Sequence, residues 1–108
     1  MRRIRSGVAS ETLDLFLELA AIPSPPGEER GVADAVVRYL RDCGLDPDED
    51  GAGASVDANA GNVYARIEPT REGEPLFLCA HLDTVPATDA IVPVVEDGVV
   101  RNANRTIL

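Results

Sequence analysis

Apolar residues recur at helical spacing in the first third of the chain and at period two, or in unbroken runs, in the rest. Leu13, Phe16, Leu17 and Ala20 define a first helix. Ser10 is its expected cap, Glu11 and Asp14 are acids of its first turn, and Pro23 is its stop. Pro23-Ser24-Pro25-Pro26-Gly27 holds too much proline for a helix and reads as an ordered turn. A second helix is expected from Glu28 to Cys43, with Val32, Val36, Leu40 and Cys43 on one face and Gly44 as its left-handed stop.

The pattern then changes. From Asp46 to Gly61 the chain is mostly Asp, Gly, Ala and Ser, which predicts a weakly ordered, exposed loop with a short strand at its start. Val63, Ala65 and Ile67 alternate within a strand expected over Asn62 to Glu68, and Pro69 to Glu74 reads as a hairpin-type turn. Leu76-Phe77-Leu78-Cys79-Ala80 is continuously apolar, the pattern of a central strand covered on both faces, with His81 at its end. Val92 to Glu96 and Val99 to Asn102 flank Asp97-Gly98, a strong hairpin signal. The expected fold class is α/β, helices packed on a mixed β-sheet. Thr106-Ile107-Leu108 is a further strand-like run with no turn behind it, so the sheet is expected to be incomplete and the chain to be part of a longer domain.

Composition narrows the functional classes. The 108 residues carry a formal charge of −9, and all ten basic residues are arginine. Such an acidic balance disfavours a nucleic-acid partner, whose phosphates demand cations. The Arg2, Arg3, Arg5 cluster precedes no secretory or membrane-spanning stretch, because Glu11, Asp14 and Glu18 interrupt the apolar residues behind it. No membrane partner is expected. Cys43 and Cys79 form no CxxC pattern and read as free thiols in a reducing cytoplasm.

Candidate chemistry concentrates in Ala80-His81-Leu82-Asp83-Thr84-Val85-Pro86. In extended backbone, His81 and Asp83 point to the same side. A histidine there presents one ring nitrogen to a metal, and a neighbouring carboxylate orients the ring or another ligand. Thr84 is read as a hydroxyl bonding backbone near a turn. Ser24 lacks the GxSxG setting of a hydrolase nucleophile. Glu28 and Glu29 read as acids of the second helix's first turn. Asp46, Asp48, Asp50, Gly51 and Asp57 have the offsets of an EF-hand-like calcium loop. Pro47 within it, Gly53 in place of an apolar anchor and Asp rather than Glu at the last position favour a solvated acidic loop; a non-catalytic calcium-binding module stands as the reading from another class.

The string Leu-Phe-Leu-Cys-Ala-His-Leu-Asp-Thr-Val-Pro resembles the metal-binding segment of the zinc exopeptidases that include peptidase T, carboxypeptidase G-type enzymes, aminoacylases and succinyl-diaminopimelate desuccinylase. Leu19 to Glu29, Val36 to Leu45 and Ala60 to Ile67 are similar to that family's first helix and turn, its second helix, and the strand that opens with Gly-Asn. Glu96 to Arg101 followed by Thr106-Ile107-Leu108 resembles the peptidase T-like branch, although Asn102 to Arg105 departs from the usual small or glycine-rich stretch.

The resemblance implies residues 1–108 as the N-terminal portion of a phosphorylase/hydrolase-like catalytic domain, without the lid domain or the C-terminal catalytic half. It implies His81 as ligand to one of two zinc ions and Asp83 as the catalytic carboxylate supporting that site. The parent would be a cytoplasmic metallopeptidase cleaving the amide bond of a short peptide, or a deacylase or desuccinylase acting on an N-acyl amino acid, as a homodimer through the lid. One histidine and one carboxylate fall short of the three ligands a catalytic zinc needs. The isolated chain is therefore expected to bind zinc weakly and hydrolyse nothing.

Overall fold

The computed structural model describes residues 5–87 and 89–105. Two units are distinguished: one joins the chain up to Pro23 with the chain from Pro86, and the other runs from Ser24 to Val85.

In the first unit, α1 spans Arg5–Ala21. It begins five residues before the expected cap, so Ser10 lies inside the helix. No strong breaker precedes Ser10: Gly7 costs a helix about 1 kcal/mol but does not stop it. α1 packs against β3, Pro93–Glu96, which pairs antiparallel with β4, Val99–Asn102. Asp97 and Gly98 join the strands with φ of +51° and +75°, the doubly left-handed turn whose twist matches a hairpin. The buried Asn102 closes its open end. Its side-chain oxygen accepts from the amides of Val92 at 3.0 Å and Asn104 at 3.3 Å. The Thr106 to Leu108 run lies outside the described residues.

The second unit opens with a turn in which the Glu28 amide donates to the Pro25 carbonyl at 2.9 Å, with Pro26 and left-handed Gly27 at its corners. α2 follows over Arg30–Asp42. Glu28 and Glu29 precede it rather than forming its first turn, and the Glu29 carboxylate accepts from the Gly27 amide at 2.8 Å. Val32, Ala33 and Ala35 are the buried residues of α2, whereas Cys43 is exposed. The helix ends as Gly44 predicts. The amide of Gly44 donates to Arg41 at 2.9 Å and that of Leu45 to Leu40 at 3.0 Å, the paired bonds of a Schellman cap.

The expected weakly ordered loop is instead well organised. β1, Asp48–Glu49, pairs antiparallel with β2, Val63–Tyr64, and a short 3₁₀ turn occupies Ala52–Val56. Polar side chains take the place of an apolar core here. Asp50 accepts from the amides of Ala52 at 3.0 Å and Asn62 at 2.8 Å, from the Asn62 side chain at 3.0 Å and from the Tyr64 hydroxyl at 3.3 Å. Glu49 takes both terminal nitrogens of Arg30, at 2.8 and 2.7 Å, together with the Gly61 amide at 2.8 Å. Asn59 caps the start of α2 by accepting from the Arg30 amide at 2.8 Å. Two backbone approaches require glycine: a Cβ on Gly53 would collide with the Ala60 carbonyl, and one on Gly61 with that of Asp50.

The mixed sheet does not form among the described residues. Two separate two-stranded antiparallel pairs stand in its place, so the α/β character holds and the sheet topology does not. Residues 65–85 contain no strand, and Leu76, Phe77 and Leu78 are 91%, 79% and 90% exposed. A central strand needs ladders on both edges and cover on both faces, and the described residues supply neither.

Candidate functional site

His81 and Asp83 lie near the end of the second unit, in an irregular segment rather than at the end of a central strand. They are brought together as their spacing predicts. The His81 Nδ1 sits 2.5 Å from the Asp83 carbonyl oxygen and 3.3 Å from its carboxylate. Because a carbonyl oxygen only accepts, Nδ1 carries the hydrogen of this contact, and in the neutral ring Nε2 keeps the lone pair. The imidazole is 81% exposed, so that lone pair is open to a ligand.

A serine fixes the backbone of this segment. Ser24 is 1% exposed, and its hydroxyl donates to the Leu82 carbonyl at 2.9 Å. Its own carbonyl accepts from the Thr84 amide at 2.7 Å and from the Thr84 hydroxyl at 3.3 Å. Thr84 thus bonds backbone, as its position suggests. The role of Ser24 escapes a reading by motif, because its partners lie 58 and 60 residues away.

The pair supplies one ring nitrogen and one carboxylate, fewer donors than a metal centre needs. Among the described residues no group of three or more His, Cys, Asp and Glu side chains is placed to hold a metal ion. That includes the calcium-like loop. The Asp50 carboxylate is engaged by the Ala52, Asn62 and Tyr64 donors and held below its usual range chiefly by the Asn62 side chain and amide. Asp48 accepts from the neighbouring Glu49 amide at 3.0 Å, and Asp57 is the left-handed residue closing the 3₁₀ turn. The Glu49 carboxyl is lowered to about 2 by the Arg30 guanidinium and then the Gly61 amide. Both acids hold the loop together. Cys43 and Cys79 are free and exposed, and no described helix is long and apolar enough to cross a membrane.

The chain is similar to two curated proteins. It is 32% identical over 96 residues to the uncharacterized protein YqjE of Bacillus subtilis (strain 168), a match covering 89% of this chain and 26% of that protein. It is 37% identical over 87 residues to succinyl-diaminopimelate desuccinylase of Corynebacterium glutamicum, covering 79% of this chain and 21% of that enzyme. The chain thus spans about a quarter of the length of these relatives. Matches that cover so much of a 108-residue chain necessarily take in the stretch holding His81 and Asp83. No protein-family model matches the chain. No solved structure matches it.

Proposed function

We propose that this chain is part of a zinc-dependent amidohydrolase, with His81 as a metal ligand and Asp83 as the carboxylate that supports it. The similarity to a desuccinylase carries the reading, and the His81–Asp83 geometry supports it. Its substrate class is an N-acyl amino acid or a short peptide, cleaved at the amide bond. A peptidase T-like specificity is the narrower form of the proposal. The enzyme is placed in the cytoplasm and, by the same family resemblance, works as a homodimer.

In this chain His81 offers Nε2 to a metal, and the Asp83 carbonyl holds the imidazole in the tautomer that leaves Nε2 bare. The Asp83 carboxylate lies 3.3 Å from the same ring nitrogen and helps to orient the ring. When bound, zinc supplies polarisation of the amide carbonyl and a nucleophile near neutral pH. The further ligands and the general base are assigned to the part of the relatives' length beyond the matched quarter.

The experiment is hydrolysis of a panel of N-acyl amino acids and short peptides by the protein extended to its relatives' length and supplied with zinc. Activity that falls at least about a hundredfold in His81→Ala is expected. An extended, zinc-supplied protein that cleaves none of the panel, or one indifferent to His81→Ala, would overturn the reading. The 108-residue chain alone is expected to show no turnover.

A further inference from the structure

We propose that Ser24 is a positioning residue for the His81–Asp83 pair. Its hydroxyl and carbonyl grip the backbone on both sides of Asp83 and thereby hold the imidazole with Nδ1 tied and Nε2 free. The link to metal binding rests on reading His81 as a ligand; the grip itself does not.

Residues 65–85 have no strand ladder, and the apolar run before His81 is almost wholly exposed. Such a segment has little to hold it in one conformation. Among the described residues, the bonds that tie the stretch from Leu76 to Val85 to the rest of its unit are those of Ser24 to Leu82 and Thr84. They bracket the residue whose carbonyl and carboxylate meet His81. Ser24 is itself the largest fully buried side chain described, set in the proline-rich turn before α2, where Pro25, Pro26 and the bond between Glu28 and Pro25 limit backbone freedom. A buried hydroxyl on a stiff turn makes a fixed anchor for this segment.

His81 is the single histidine of the chain, so its ring nitrogens give one set of signals in nitrogen-15 NMR. In the neutral ring, wild-type His81 is expected mainly as the Nδ1–H tautomer. Ser24→Ala removes the donor to Leu82 and is expected to shift the ring toward the Nε2–H form. Zn2+ added alone should then act on His81 about fivefold more weakly, the factor that loss of one hydrogen bond represents. A purely structural role would lower the melting temperature and leave the tautomer of the folded chain as it was.

An unchanged tautomer and an unchanged zinc response in Ser24→Ala overturn the proposal. Should wild-type His81 not respond to Zn2+, the tautomer comparison alone decides the role of Ser24, and the metal-ligand reading is decided by His81→Ala in the extended protein. Should Ser24→Ala fail to fold, amide exchange in the wild type serves as the test. Thr84 lies in an exposed, ladder-free stretch, so slow exchange of its amide supports the grip and fast exchange refutes it.

Discussion

Replacing Glu49 by glutamine separates the work of its charge from that of its shape. Glutamine keeps an oxygen for the Gly61 amide and for one arm of Arg30, but sets an NH2 against the other arm, a donor facing a donor. Arg30, and after it the Gly61 amide, lower the Glu49 carboxyl from 4.5 to about 2, which at full value corresponds to roughly 3 kcal/mol. Solvent screens this pair, since the Arg30 and Glu49 side chains are 38% and 27% exposed, and about 1 kcal/mol is the realistic share. A carboxyl lowered on folding stabilises the fold above its unfolded value, and that contribution fades as pH falls through 4.5 toward 2. Glu49→Gln should therefore be about 1 kcal/mol less stable than wild type near neutral pH, with a gap that closes as the medium is acidified. Urea unfolding of both proteins across that range provides the measurement, and taking their difference cancels the titration of the other acids. A gap that stays constant with pH, or is absent at neutrality, refutes the assignment.

Two backbone positions give independent tests. Gly61→Ala forces a Cβ onto the Asp50 carbonyl, a backbone atom that cannot swing aside, and should cost about 2 kcal/mol or more by calorimetry. Gly98→Val puts a β-branched residue at φ +75° in the hairpin turn; a loss of about 1 to 2 kcal/mol, with faster amide exchange across β3 and β4, is the expected result.

Features legible in the sequence rest on contacts between near neighbours. The Gly44 cap, the Pro26-Gly27 corner, the Asp97-Gly98 hairpin and the His81–Asp83 pair are each set by residues within a few positions of one another. The segment from Asp46 to Gly61 misleads because composition measures how much apolar surface can be buried, and this segment is ordered by other means. Glu49 meets Gly61 and Asp50 meets Asn62 across 12 residues, and Arg30 reaches Glu49 across 19. Nothing in a local pattern pairs those partners. Ser24 reads only as a poor nucleophile for the same reason: a serine in a turn carries no mark of the two residues it will hold.

Leu76-Phe77-Leu78 marks where local pattern and fold disagree, and the disagreement bears on function. The run has the composition of a buried strand and is almost fully exposed. Covering three such side chains is worth about 4.5 to 9 kcal/mol at roughly 1.5 to 3 kcal/mol each, comparable to the whole stability of a small domain. A run of that value acts as a strand only when a neighbour pairs its backbone and covers its faces. Under the amidohydrolase reading, that neighbour belongs to the length of the relatives that this chain does not match. The run lies three residues from His81, so a segment that pairs with it arrives beside that histidine. On that same reading, burial of the run and completion of the proposed metal site become one event, in which Ser24 needs only to keep His81 in the orientation that event requires.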